Sequence, residues 1–520
     1  MKKLLLNLAS GVILSAFALS ASAQDSVRYV NDIFADVLVQ SNIEYDSNRS
    51  INILYGQIPG QLPIITVKLK CDVYTPAGDA ATNRPVVIIA GTGSYLPAIL
   101  NNQTTGSKKD SSVVELCKRF AMKGYVAVAV DYRQGWNPLT TVQADAAEQL
   151  IKATYRALQD VRNCIRFLRS NASTYGIDTS KIVVGGQGTG GYVALALASV
   201  NTRAELESNP KFQRGDFSPM IDVDTLGDWM GAGGVQLPGY PFYFNYGGDA
   251  GVAANAHLVF HYGGAIGDST WVDNATLPTI GIQSTTDLFA PYKTGNVVVP
   301  TTGLTVIPSA SGAGALIPYI NSMGLNAKIN AYTYTDVYST RAMSASGNVG
   351  CLFPLYTQVP GDGAPWEWWD RPTVQAITNV PVNGLPIPTS GHKADSLSML
   401  TNPLMSAAKG KAYIDTIVNF VAPRIAVQFN FLVAGVEEKF GLNDVASVYP
   451  NPAANEVTVQ LPVNIRTVEL TDITGKALLT EKVSFSNQHT MNLTGINQGI
   501  YMVQITALDG RTAVKRLIIN

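Results

Sequence analysis

At 520 residues the chain exceeds one ordinary domain, and 46% hydrophobic with only 14% charged residues fits a large buried core under a weakly charged surface. Its 37 basic and 38 acidic residues leave a formal net charge of −1, which excludes electrostatic capture of nucleic acid or of an anionic membrane as the basis of function. The four cysteines, Cys71, Cys117, Cys164 and Cys351, stand outside Cys-x-x-Cys spacing and supply no zinc motif; three disulfide pairings are open to them and the sequence does not choose.

Residues 1–23 have the pattern of a secretory signal: Lys2 and Lys3, an apolar run over 4–19, and Ala21-Ser22-Ala23 as cleavage site. The body is expected over 24–432. Alternation over 65–74 predicts a half-exposed strand. The apolar run 85–90 predicts a buried strand that ends in a glycine loop, Gly91-Thr92-Gly93. A helix follows at 112–122, with Val113, Leu116, Cys117 and Phe120 on one face, then a strand at 125–132 and a long amphipathic helix at 144–171. Next come a strand at 181–185 and a helix from Gly190. Residues 200–255, rich in Pro, Gly and aromatics, predict a cap insertion. Strands are expected again at 257–262 and 278–283, a helix at 315–323, a strand at 328–334, a late irregular insertion at 340–395 and a last helix at 404–420. Strands alternating with helices imply a mostly parallel sheet covered on both faces. Beyond a linker at 433–447, short strands at 456–461, 467–471, 500–505 and 513–520 predict a small all-β sandwich over 448–520.

Residues 181–198 combine a buried strand, a glycine turn and an Ala/Leu helix. That is the context of the G-x-S-x-G turn, which lifts a serine above a sheet. Here the turn is Gly186-Gln187-Gly188-Thr189-Gly190, and the apex, Gly188, has no side chain. Gly186-x-Gly188-x-x-Gly191 also satisfies a dinucleotide pattern, but several elements precede it; tight turning and close helix–strand approach account for its glycines. No dinucleotide, metal or other cofactor is expected. His257 and His261 share one side of a strand with no carboxylate or cysteine at ligand spacing, so they are core or lining residues. Trp366, Trp368 and Trp369, with Trp271, are candidates for an aromatic ligand platform. Asp268 and Asp287 follow strands and are placed above the C-terminal ends of the sheet, where open α/β folds bind ligands.

The tail carries Tyr449-Pro-Asn-Pro452, Asp472-Ile-Thr-Gly475-Lys476, Gly499-Ile-Tyr501 and Lys515-Arg-Leu-Ile-Ile-Asn520. In this order they resemble the C-terminal sorting domain of the type IX secretion system of Bacteroidetes. The resemblance implies export through the periplasm to the surface or medium, with residues 448–520 engaging the secretion machinery. The body carries Asp72-Val-Tyr-Thr-Pro76, Arg84-Pro85, Phe120-Ala-Met-Lys-Gly124-Tyr125, Asp131-Tyr-Arg133, Gln159-Asp160, Tyr175-Gly-Ile-Asp178 and the glycine turn. Over residues 60–340 it resembles secreted α/β-hydrolases of the esterase and peptidase kind.

That resemblance implies an α/β-hydrolase fold and assigns positions to the site. Gly188 stands at the nucleophile, Asp287 at the triad acid with Asp268 as a second candidate, and His392 at the base, though His392 lies far downstream of the strand it should follow. Backbone groups of Gly91, Thr92 and Thr189 stand at the oxyanion hole. Asp268, Trp271, Trp366, Trp368 and Trp369 are the expected ligand contacts. Two functions compete: a catalytically silent member that keeps a pocket for a peptide, glycan or ester-like ligand, and a working hydrolase using an atypical nucleophile or an activated water.

Overall fold

The computed structural model describes residues 28–230, 251–300, 302–357, 359, 361–432, 446–507 and 512–520. The expected signal peptide, part of the cap (231–250) and most of the linker (433–445) lie outside the described residues. The chain divides into two compact units, Met1–Val433 and Ala434–Asn520.

The first unit is built on an eight-stranded sheet of β1 (Val37–Ile51), β2 (Ile64–Pro76), β3 (Arg84–Ala90), β4 (Val126–Val130), β5 (Ile177–Gln187), β6 (Leu258–Tyr262), β7 (Thr279–Ser284) and β8 (Leu352–Leu355), ordered β1-β2-β4-β3-β5-β6-β7-β8. β1, β2 and β4 pair antiparallel and every later pair is parallel. The central strands are continuous apolar runs, such as Val-Ala-Val-Ala-Val in β4, because helices cover both faces. α1 (Ser111–Met122) and α7 (Ala407–Gln428) lie on the side marked by the Phe120–Phe260 ring contact. α2 (Gln143–Ser170), α3 (Thr189–Ser199) and α4 (Ala313–Ser322) cover the other. α5 (Val337–Ser346) and α6 (Gly391–Thr401) flank the late part of the chain. Among the described residues no helix is long and apolar enough to cross a membrane.

The late chain departs from expectation. Residues 328–334 are not a strand: Ala327–Asn330 is a helical turn. The last sheet strand is Leu352–Leu355, inside the stretch expected to be an irregular insertion. Four residues cannot display a periodicity, and the internal Pro354 is tolerated because β8 pairs with β7 alone, at the sheet edge. Cys71, Cys117, Cys164 and Cys351 are all buried free thiols, so none of the three open pairings is formed.

The second unit is a five-stranded antiparallel sheet: β9 (Ser447–Tyr449), β10 (Glu456–Thr471), β11 (Ala477–Asn492), β12 (Gly499–Ala507) and β13 (Thr512–Ile519). Alternation puts Tyr501, Val503 and Ile505 of β12 inward with Leu517 and Ile519 of β13, in a core of its own.

Candidate functional site

β5 runs into α3 through Gly188, at φ +52°, ψ −115°. That left-handed backbone strains any residue with a Cβ. Close packing sets the turn. A Cβ on Gly190 would lie 2.1 Å from the Ala90 carbonyl oxygen, and one on Gly191 2.1 Å from that of Gly263. Helix α3 therefore sits directly on the backbone of β3 and of the turn after β6. Its N-terminus, with the positive end of its dipole, arrives at the C-terminal edge of the sheet. The geometry is a tight strand–turn–helix elbow.

The apex is occupied from outside. Thr92, in the loop after β3, places its Oγ1 2.3 Å and its Cβ 2.9 Å from where a Cβ on Gly188 would stand. The Thr189 N–H, which would point at an oxyanion, donates to Thr92 Oγ1 at 3.3 Å. Around this pair the Tyr132 hydroxyl donates to the Gly91 carbonyl at 2.7 Å and meets Thr189 Oγ1 at 3.4 Å, while the Tyr95 hydroxyl donates to the Thr189 carbonyl at 3.2 Å. Gly91, Thr92, Gly188 and Thr189 are thus brought together, but Thr92 contributes its side chain where only its backbone was expected.

Asp287, in the loop after β7, reaches the same place. Its Oδ1 accepts N–H bonds from Phe289 at 2.8 Å and Ala290 at 3.1 Å, and Gln283 Nε2 approaches its Oδ2 at 3.4 Å. Burial pushes this carboxyl up to about 6 against those hydrogen bonds. A Cβ on Gly263 would stand 3.2 Å from Asp287 Oδ2, 3.5 Å from Trp366 Cζ2 and 3.7 Å from the Gly188 nitrogen. The loop after β8, where a triad base would stand, therefore brings the Trp366 ring beside the acid. Trp366 is only 2% exposed and meets the Tyr262 ring edge-on at 5.3 Å between centroids.

Beneath the elbow lies a polar network. Gln187 Oε1 accepts from the hydroxyls of Ser112 at 2.9 Å and Tyr262 at 3.2 Å, and Gln187 Nε2 donates to Glu367 Oε1 at 2.8 Å. Burial first, and the nearby Asp110 carboxyl second, push Glu367 up to about 8. Asp110 is itself raised by burial to about 7. Gln187 and Glu367 were missed in the sequence; adjacency to the apex marks Gln187, but nothing local marks Glu367.

Other candidates lie elsewhere. His392 is exposed in the first turn of α6, and no hydrogen bond among the described residues links it to Asp287. The carboxylate of Asp268 caps a helical turn through Thr270 and pairs with Lys211 at 3.1 Å; these contacts outweigh burial and hold it down to about 2. The tryptophans form no common platform. Trp271 stacks on Phe212, Trp368 packs over Gly410 of α7, and Trp369 donates its indole N–H to Asp395 at 2.8 Å. His257 Nδ1 accepts the Ile182 N–H at 3.1 Å, and burial drives His261 down to about 4, so it is neutral. Among the described residues no group of three or more His, Cys, Asp or Glu side chains could hold a metal.

The BD-FAE family model matches residues 71–238, and the model of the secretion system C-terminal sorting domain matches residues 447–520. Among solved structures, the chain is similar to Thermogutta terrifontis esterase 2 phosphorylated by paraoxon, at 18% identity and a TM-score of 0.29 over 49% of this chain and 73% of that one. It is similar also to the propionate-bound form of that thermophilic planctomycete esterase, at 18% identity and a TM-score of 0.28 over 44% and 70%. No curated protein matches the chain. The chain thus joins an α/β-hydrolase-like body, of which residues 71–238 match the BD-FAE model, to a type IX C-terminal sorting domain that directs it to the cell surface or the extracellular space.

Proposed function

We propose that this exported hydrolase-fold protein is catalytically silent and acts outside the cell by binding a peptide, glycan or ester-like ligand. One observation carries the reading: the Thr92 side chain stands where a nucleophile would emerge and takes up the Thr189 N–H that would steady an oxyanion. Covalent acyl transfer needs an activated hydroxyl within hydrogen-bond reach of a base, and an empty oxyanion hole beside it. Gly188 supplies no hydroxyl, the described loop after β8 presents Trp366 instead of an imidazole, and the hole is filled.

The test is incubation of the secreted chain with a fluorophosphonate and with p-nitrophenyl acetate. The expected outcome is no covalent adduct and no turnover above a denatured control; stoichiometric labelling overturns the proposal. A second reading draws on the same threonine. Its hydroxyl sits at the elbow apex on the positive end of α3, so Thr92 could itself be the unorthodox nucleophile. An adduct mapped to the peptide containing Thr92 would favour that reading over silence.

A further inference from the structure

Helix α3 is apolar all round, which marks a helix covered on both sides. Gly190 and Gly191 contact the backbone of the sheet region, and helical spacing puts Ala194 and Ala198 with them. Tyr192, Ala196 and Val200 fall on the opposite side. There a pocket partly open to solvent, with room for about 50 Å³, is lined by these residues together with α2, the described part of the cap and Trp271.

The wall of this cavity makes no demand for water. Its side-chain polar atoms all donate to backbone carbonyls: Thr154 Oγ1 to Leu150 at 3.1 Å, the Tyr155 hydroxyl to Gly227 at 2.7 Å, the Tyr192 hydroxyl to Phe289 at 3.0 Å, and Trp271 Nε1 to Glu205 at 3.0 Å. Satisfied, apolar walls favour apolar guests over water; an engineered cavity of about 150 Å³ takes up benzene or xenon. A space one third of that size selects smaller guests.

We propose that the space between the outer side of α3 and the cap is a binding site for a small apolar group, such as a short aliphatic chain or a single xenon-sized atom. The site is separate from the elbow and does not depend on whether the elbow is silent. It reaches the elbow through one residue: Tyr192 lines the cavity, and its hydroxyl holds the carbonyl of Phe289, whose N–H is bonded to Asp287.

Xenon and cyclopropane are the probes. A crystal of the full chain pressurised with xenon should show one ordered atom between Ala196 and Trp271. Thermal unfolding of the full chain in cyclopropane-saturated buffer should begin at a higher temperature than in argon-saturated buffer. Ala196→Leu fills the space, and both effects should be lost. An unoccupied cavity under xenon in the wild type overturns the proposal, as does equal stabilisation of wild type and variant by cyclopropane. The wild-type xenon measurement decides the matter alone if the leucine variant does not fold.

Discussion

At the scale of single residues, positions 92 and 188 act as one unit. Gly188→Ser adds a Cβ at φ +52° and drives it into Thr92. Backbone strain alone should cost about 1–3 kcal/mol, read as a lower midpoint in denaturant unfolding, and the variant should hydrolyse no ester. Adding Thr92→Gly removes the overlap and should recover part of the lost stability; ester turnover by the single serine variant would show that Thr92 does not obstruct. A contact between residues this far apart in sequence is invisible to motif reading, so the sequence named Thr92 only for its backbone. The glycine at the apex, in contrast, was legible because strand, turn and helix adjoin.

Glu367 gives a pH-dependent prediction at the same scale. Its folded value near 8 exceeds the ordinary 4.5, so folding favours the protonated acid. That stabilisation is complete below pH 4.5 and is lost as pH rises through 8. Glu367→Gln keeps an acceptor for Gln187 without a titrating proton. It should match the wild type near pH ~4 and exceed it by the order of a few kcal/mol near pH ~9, measured as unfolding free energy across the range. An unchanged difference between those pH values would exclude an ionising Glu367.

Among the elements, long regular ones were legible and short ones were not. The apolar strands and the 28-residue α2 announce themselves by periodicity. β8, at four residues with a proline, does not. Its shortness hid the loop that follows, which brings Trp366 beside Asp287 while His392 stands exposed on α6. Because Trp366 wedges that loop against Tyr262 and beside Asp287, Trp366→Ala should cost about 3–5 kcal/mol in calorimetry. α2 contributes more than a packing face. Arg162 donates to the Leu197 and Val200 carbonyls at 3.2 Å, tying down the end of α3, and further along Arg166 and Arg169 bond the Val252 and Asn255 carbonyls. Arg162→Met keeps much of the stem but leaves buried carbonyls unpaired. The expected loss is about 1–3 kcal/mol, checked by chemical denaturation.

For the molecule as a whole, two cores with no shared residue underlie two roles. The tail was legible because its turn motifs and short strands recur in a fixed order, and the matched sorting domain accounts for them. Deleting residues 434–520 should leave the melting temperature of the body unchanged, since the body's core ends before that point. The same deletion should abolish appearance of the protein outside the cell, scored by fractionation. A body that fails to fold without the tail would contradict the division into two units.

The overlap of Thr92 with any side chain at residue 188 couples what the two positions can carry. Installing serine first meets a collision, whereas trimming the threonine first opens a hole that confers nothing by itself. Neither single change makes an ordinary elbow, so the two positions interlock like a key and its ward: a hydroxyl at 188 requires a paired change.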